Sequence, residues 1–226
     1  ATTLAMEAMT WLTSDWADKK GIDIRIEAAM AKLFTTEELW KIADMTMQFR
    51  GGRGYEKGRS LQARGEVPYP VERIMRDCRI NRILEGTTEI MKLFLAREAM
   101  DPHLKRLMPL MSKKTSFIDK IKAFGSAFWY YLKWFPKQKF PYFSQSRFPE
   151  AGELEPRFHY IEKASHRMSA ALFEAMAKYQ QHLERKQLLL GRLMEIGTEL
   201  FAMSCCCAYA LHLFKKNPTD KTPMEL

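Results

Sequence analysis

Apolar residues recur at helical spacing along almost the whole chain. Between Ala5 and Trp16 they predict a first helix, which Gly21 is expected to end. A second, longer helix is predicted from about Ile22 to Gln48. The glycines that follow it are expected to break it sharply, at Gly51, Gly52 and Gly54.

The next stretch alternates polar loops with shorter helices. After a polar loop over 56–68, Pro70 is predicted to open a helix over 71–80 with Ile74 and Met75 facing inward. A further helix is predicted from Thr88 to about Met100, closed by Pro102. No alternating β-pattern competes with these helices. The fold class is therefore predicted to be all-α.

The second half of the chain has a different pattern. Aromatic and aliphatic residues from Phe117 to Phe135 form a stripe at i, i+3, i+4 spacing, with lysines mostly outside it. A proline-rich, aromatic connector over 136–156 is expected to lack regular structure, and two helices over about 156–186 and 188–215 are predicted to follow. We divide the chain into a helical part over 1–104, a basic amphipathic helix with its connector over 105–155, and a further helical region over 156–226.

The positive charge of the chain is concentrated in one segment. From Lys105 to Arg147 there are ten Lys or Arg residues and one acidic residue, Asp119, so this segment has a net charge of +9, equal to that of the whole chain. The four cysteines, three of them consecutive, show no disulfide or metal-site spacing, so we predict small buried hydrophobic residues, a reducing compartment and no metal. The most apolar stretch, 193–214, contains Glu195 and Glu199 and is interpreted as a core helix.

Three interpretations apply to the basic, aromatic segment 113–148. In the first, the segment is a helix packed on the protein with a solvated lysine face. In the second, it is an interfacial helix that lies on an anionic membrane surface, where Trp129 and Trp134 suit the headgroup boundary. Nucleic-acid binding is the third interpretation. Because no recognition module surrounds the segment, no nucleic-acid partner is expected.

The candidate chemistry lies at Glu85, in the sequence RILEGTTEI over 82–90. Ile83 and Leu84 are expected to place this carboxylate in a low-dielectric setting that suits a base. Gly86 permits close approach of a ligand, and Thr87 or Thr88 is expected to cap the following helix. Alone, this pattern is also typical of an ordinary capped helix start.

The order of several motifs strengthens the case for Glu85. Residues 1–100 resemble the C-terminal domain of the acyl-CoA dehydrogenases, through Ile26–Phe34, Gln48-x-x-Gly51-Gly52-x-Gly54-Tyr55, Tyr69–Asp77, Arg79-Ile80 and Glu85-Gly86-Thr87. Residues 101–226 look like the additional C-terminal region of the very-long-chain branch, mainly through Leu189–Leu193 and Glu199–Met203. In contrast, the glycine run follows a helix rather than a strand, which excludes a Rossmann-type loop.

The resemblance implies a bundle of antiparallel helices and an FAD-dependent enzyme. In the family, the glutamate of the matching motif removes the α-proton of an acyl-CoA thioester, and the β-hydride passes to the flavin to leave a trans-2-enoyl-CoA. Glu85 matches this catalytic position. The resemblance also implies a long-chain acyl-CoA substrate, an electron-transfer flavoprotein or similar acceptor, and a homodimer.

The remaining site residues are also implied by the resemblance. In the family, one segment contacts the adenine-diphosphate part of FAD across the dimer interface. The residues at the matching positions of this sequence are Gln48, Phe49, Arg50, Gly51 and Gly52. A second flavin contact matches Thr87, Thr88 and Glu89, and Gly86 is expected to lie against the substrate. We interpret four charged residues as ion pairs that support the turn, namely Arg73, Arg76, Asp77 and Arg79.

Both ends of the sequence are expected to be cuts in a longer protein. The family's amino-terminal helical domain, its β-domain and the first helix of its C-terminal bundle have no counterpart here, so the chain alone is not expected to hold FAD or to turn over substrate. The expected location of the protein is either the bacterial cytoplasm or the mitochondrial matrix, peripheral to the inner membrane. The alternative function is a non-catalytic, membrane-associated assembly or docking module derived from the family.

Overall fold

The computed structural model describes residues 1–111, 116–140, 146–220 and 222–224, and within these ranges it is helical without a β-strand. This confirms the all-α prediction. Two compact units are present, Ala1–Met91 and Lys92–Leu226. The α-helices in chain order are α1 (Thr2–Ala17), α2 (Arg25–Arg50), α3 (Gly52–Tyr55), α4 (Gly58–Ala63), α5 (Val71–Ile80), α6 (Thr88–Met111), α7 (Phe117–Lys139), α8 (Glu155–Tyr179) and α9 (Gln187–Lys216).

The first unit is built around α2, which packs against α1, α3 and α5. The region predicted as a polar loop contains α4, because Leu61 is completely buried and anchors this short helix. The predicted inward orientation of Ile74 is wrong, since its side chain is 47% exposed. Val71 and Cys78 are buried instead; they lie seven residues apart, on one face of α5.

Helix α6 begins in the first unit and continues into the second. It passes through Pro102 and Pro109, so the prediction that Pro102 closes the helix is wrong. An internal proline removes a backbone hydrogen bond and costs about 3 kcal/mol. The continuation is favoured by burial of Leu95, Ala96 and His103 on either side of the proline. The carbonyl of Pro102 in turn accepts a hydrogen bond from Arg106 Nη1 at 2.7 Å.

In the second unit, α8 packs against both α7 and α9. The connector is more regular than predicted: α7 runs through Pro136 to Lys139, and a 3₁₀ helix forms at Pro149–Leu154. Residues 141–145 lie outside the described residues. The 3₁₀ helix forms because Ala151 and Leu154 are buried, and Leu154 belongs to a cluster with Ile161, Cys207 and Ala210.

His103 connects α6 with α7 and α8. Its Nδ1 lies 3.0 Å from the Tyr131 hydroxyl, and its ring contacts those of Trp134 and Phe173. Burial lowers the pKa of His103 below its ordinary value, because the protonated ring would be a cation held away from water. These contacts fix which face of α7 is turned inward.

Helix α9 is a core helix of the second unit, with ten buried residues. By length and composition it is the one helix among the described residues that could cross a membrane. Its Glu195 pairs with Lys92 at 2.5 Å. Burial raises the pKa of the Cys205 thiol to about 12, and Cys207 is also buried. These thiols therefore behave as small hydrophobic groups, as predicted.

Candidate active site

The turn between α5 and α6 carries Glu85. It begins as a continuation of α5, because the amides of Ile83 and Leu84 both donate to the carbonyl of Ile80 at 2.9 Å. The chain then reverses through two residues of positive φ, Glu85 at 54° and Gly86 at 100°. A residue with a side chain in this conformation is disfavoured by about 1–2 kcal/mol. The surrounding structure must therefore hold Glu85 in place.

Lys32 on α2 holds the middle of the turn. Its ammonium donates to the carbonyl of Gly86 at 2.5 Å and to that of Leu84 at 3.3 Å. These two carbonyls lie on either side of Glu85 in the chain. A half-buried cation with two carbonyl acceptors compensates the strain, because hydrogen bonds to charged groups contribute about 1.5–3 kcal/mol.

Glu37, also on α2, holds the ends of the turn. Its Oε1 accepts hydrogen bonds from Arg82 Nε at 2.8 Å and from the hydroxyl of Thr88 at 2.6 Å. The Arg82 guanidinium also lies 5.8 Å from the ring of Trp40. The sequence interpretation assigned no role to Lys32 or Glu37. No local pattern marks them, because their partners lie 45 to 54 residues away in the chain.

The predicted low-dielectric setting of Glu85 is wrong for this chain. Leu84 is 57% exposed, Ile83 is exposed as well, and so is Glu85 itself. The inward side of the turn is occupied by the α2 contacts, so the apolar side chains face outward. Within the described part of the chain, the Glu85 carboxylate has no ion-pair or hydrogen-bond partner. Glu85 is therefore held by its backbone while its side chain stays accessible.

Gly86 is required both by conformation and by space. A Cβ at this position would lie 2.7 Å from Met91 Sδ, and φ is 100°. The next residue, Thr87, accepts a hydrogen bond from the amide of Ile90 at 3.4 Å, which confirms the predicted cap. Thr88 is buried and donates to Glu37, whereas Glu89 is exposed.

The glycine loop after α2 forms the predicted C-cap. Gly51 has φ 57°, and its amide donates to the carbonyl of Gln48 at 3.1 Å. A Cβ at Gly51 or Gly52 would meet no atom within 4 Å, and Gln48 and Phe49 are exposed. The backbone here is open to close approach by a phosphate group. The Arg50 guanidinium is positioned over the ring of Tyr69, at 4.9 Å.

Three of the four residues predicted to form ion pairs, Arg73, Arg76 and Asp77, do so, but their pairs run along α5. Arg73 pairs with Asp77 at 3.6 Å and Arg76 with Glu72 at 2.5 Å. Arg79 lies over the ring of Trp40 at 5.4 Å. The support of the turn comes instead from α2.

Comparison with known proteins identifies a family domain in the first part of the chain. The model of the acyl-CoA dehydrogenase C-terminal domain matches residues 1–100. Residues 1–100 belong to the acyl-CoA dehydrogenase family. This is the stretch that carries Glu85, the glycine loop and the α2 contacts.

Relatives extend the similarity to this family beyond residue 100. A protein of Mycobacterium tuberculosis named "Probable acyl-CoA dehydrogenase FadE10" is 44% identical over 214 residues, which are 93% of this chain and 32% of the relative. The human "Very long-chain specific acyl-CoA dehydrogenase, mitochondrial" is 38% identical over 106 residues, 47% of this chain and 15% of the relative. The chain therefore spans about a third of the length of the mycobacterial relative.

A solved structure supports the fold. The crystal structure titled as an acyl-CoA dehydrogenase of Bacillus anthracis complexed with FAD aligns with a TM-score of 0.64 at 22% identity. The alignment covers 96% of this chain and 34% of that one. At this identity the likeness shows the helical fold of the acyl-CoA dehydrogenases in both parts of the chain, and no more.

Proposed function

We propose that the full-length protein containing this chain is an FAD-dependent acyl-CoA dehydrogenase in which Glu85 removes the α-proton of a long-chain acyl-CoA. The observation that supports this most directly is the turn itself. Its carboxylate is accessible and unpaired in the described residues, and it sits on a positive-φ backbone clamped by Lys32 and Glu37. A plain helix start does not need this arrangement.

The chemistry explains why a fixed carboxylate is useful. The α-proton of a thioester is weakly acidic, so its removal requires a base within hydrogen-bond reach and donors near the thioester oxygen. In the proposed reaction the α-proton passes to Glu85, the β-hydrogen leaves as hydride, and the substrate becomes a trans-2-enoyl-CoA. FAD, when bound, supplies the acceptor for this hydride. Domains outside this chain would enclose Glu85 and exclude water.

The residues of two segments fit a flavin. Gln48, Phe49, Arg50, Gly51 and Gly52 would hold the adenine-diphosphate part, since the backbone at the two glycines is open and Gln48 is exposed. Thr87 and Glu89 would supply side chains to the second contact. Thr88 would support this contact indirectly, because it is buried, its hydroxyl donates to Glu37 and its amide donates to the Arg82 carbonyl.

The proposal includes partners and location. An electron-transfer flavoprotein or similar acceptor would reoxidise the flavin, and the 48–52 loop would face the flavin of a second copy in a homodimer. Long acyl chains are supported by the similarity to a relative named for very long-chain substrates. We place the protein in bacterial cytoplasm or in the mitochondrial matrix, peripheral to the inner membrane.

Anaerobic mixing of the purified, flavin-containing full-length protein with acyl-CoA substrates tests this function. We expect loss of the oxidised-flavin absorbance, with formation of the 2-enoyl product measured by chromatography. Long and short acyl chains compared in parallel would show the chain-length preference. Bound flavin that no acyl-CoA reduces would contradict the proposal and favour the assembly or docking alternative.

We also propose that α7 lies on an anionic membrane surface. Its inward face carries the buried residues Ala127 and Gln138. The neighbouring face exposes apolar side chains to solvent, namely Phe117, Ile118, Ile121, Phe124, Phe128, Trp129 and Leu132. A groove of about 450 Å³, lined by apolar side chains that include Phe124, Phe128 and Phe173, continues this face.

The charge of α7 supports the same proposal. Lys122, Lys133 and Lys137 are exposed and lie along one edge of the exposed apolar face of α7. An interfacial helix needs an apolar face that inserts and lysines that meet anionic headgroups, with each lysine contributing about 1 kcal/mol. Residues 112–115 and 141–145 of the predicted segment lie outside the described residues.

Vesicle flotation of the full-length protein tests the membrane proposal. The double variant Phe124→Ser/Phe128→Ser is expected to lower the fraction bound to phosphatidylglycerol vesicles at least roughly tenfold, because each buried phenylalanine contributes about 1.5–3 kcal/mol. The matched control is Leu188→Ser, which removes a side chain that is 81% exposed on α9. Equal binding of both variants, or equal binding to neutral vesicles, would contradict the proposal.

A further inference from the structure

Lys32 has a role in the turn that no sequence motif assigned. Its side chain is half-buried, and its ammonium donates to the carbonyls of Leu84 and Gly86. Lysine has three N–H donors and no acceptor, so at least two of its donors serve the backbone on either side of Glu85. Within the described residues it forms no ion pair with the Glu85 carboxylate itself. The lysine therefore holds the position of Glu85 without occupying its carboxylate.

The first of these hydrogen bonds acts on one particular peptide unit. The Leu84 carbonyl and the Glu85 amide belong to the same planar group, so a cation at the oxygen polarises the N–H on the other side. In the described part of the chain, the amides of Glu85 and Gly86 donate to no backbone carbonyl. Two amides are thus left free at a positive-φ turn, and one of them is activated by an ammonium.

A polarised, unpaired amide beside an accessible carboxylate suits a reaction in which a carbonyl oxygen of the substrate becomes negative while the carboxylate removes a substrate proton. Donors that are already in place when charge develops stabilise the transition state without reorganisation. The second hydrogen bond of Lys32, to the Gly86 carbonyl, fixes the orientation of the Gly86–Thr87 peptide, which follows Glu85 and Gly86 in the turn. Loss of the ammonium would release both peptides together.

We infer that Lys32 is a positioning residue, which holds the Glu85 turn and polarises the Leu84–Glu85 peptide so that its amide can donate to the thioester oxygen of the substrate. This inference rests on the proposed dehydrogenase function. It adds a residue on α2 to a site whose other members lie in the turn and the glycine loop.

The test compares Lys32→Met with Lys32→Arg in the full-length protein. Methionine keeps the unbranched chain but has no donor, whereas arginine keeps the charge and the donors. We expect Lys32→Met to lower kcat by roughly tenfold or more with a smaller change in KM, because removal of a direct oxyanion donor lowers kcat by about 10²–10³. Lys32→Arg is expected to recover part of this loss.

A spectroscopic measurement separates polarisation from general damage. An acyl-CoA whose β-carbon carries two methyl groups in addition to the rest of the acyl chain (a β,β-dimethyl acyl-CoA) has no β-hydrogen to lose, so its bound thioester carbonyl can be observed by infrared spectroscopy. We expect the C=O band to move to lower wavenumber on binding to the wild type, and Lys32→Met to reverse much of this shift. An unchanged band and a kcat within twofold of an active wild type would overturn the inference while the proposed function stands.

An inactive wild type would instead contradict the proposed function, and the positioning role would then be decided by amide hydrogen exchange. Lys32→Met is expected to accelerate exchange over 84–88 relative to α5 in the same protein. Equal exchange in wild type and variant would show that Lys32 does not hold the turn.

Discussion

Glu85→Gln is expected to abolish dehydrogenation by the full-length protein while FAD stays bound. Glutamine has nearly the same shape as glutamate but cannot accept the α-proton, and a positioned general base contributes about 10²–10⁴-fold to the rate. Flavin content should not change, because the Glu85 side chain has no partner in the described residues. Stopped-flow measurement of flavin reduction by acyl-CoA gives the rate, and the flavin-to-protein absorbance ratio gives the occupancy.

Two further variants serve as controls for this result. Asp77→Asn removes another exposed carboxylate, whose pairing with Arg73 is 3.6 Å long and solvent-exposed, and it should keep the wild-type rate. Glu85→Asp retains a base on a shorter side chain and should give an intermediate rate. If Glu85→Gln reduced flavin as fast as Asp77→Asn did, Glu85 would not be the base.

Gly86→Ala is expected to destabilise the first unit by about 1–3 kcal/mol, because it adds both backbone strain and a steric conflict. The new Cβ would have φ 100° and would lie 2.7 Å from Met91 Sδ. The matched control is Gly65→Ala, where φ is 76° but no atom lies within 4 Å of the new Cβ. The control shares the strain, so the difference between the two denaturation midpoints measures the conflict with Met91.

The double variant Gly86→Ala/Met91→Ala extends this test. It should recover part of the lost stability relative to Gly86→Ala, after correction for Met91→Ala alone, since the shorter side chain removes the conflict but leaves the strain. Equal destabilisation by Gly86→Ala and Gly65→Ala would mean that Met91 moves aside without cost. The turn would then be less tightly defined than its hydrogen bonds indicate.

The sequence was sufficient to predict what depends on neighbouring residues. The helices, the C-cap at Gly51 and the cap at Thr87 follow from spacing and from local backbone preferences, and all are present. Continuation of α6 through Pro102 could not be predicted this way. The local penalty of proline is outweighed by burial of Leu95, Ala96 and His103, which depends on the packed structure.

The candidate site shows the same division. Motif order identified Glu85 and its neighbours, but it did not identify Lys32 or Glu37. Each of these reaches the turn from α2, and a charged residue on a helix is more often solvated than bound to a distant backbone. The expected low-dielectric setting of Glu85 is wrong for this chain because Ile83 and Leu84 are exposed and do not pack on the inward side of the turn. That space is taken by the contacts from α2.

Hydrogen exchange at the α-carbon tests the role of Glu85 most directly, because it isolates proton removal from hydride transfer. The β,β-dimethyl acyl-CoA can lose its α-protons to a base but cannot be oxidised, and its exchange in D₂O can be followed by NMR. In the presence of the full-length protein, we expect wild type to catalyse this exchange and Glu85→Gln to leave it at the rate without enzyme. Exchange at equal rates with both proteins would contradict the assignment of Glu85 as the base.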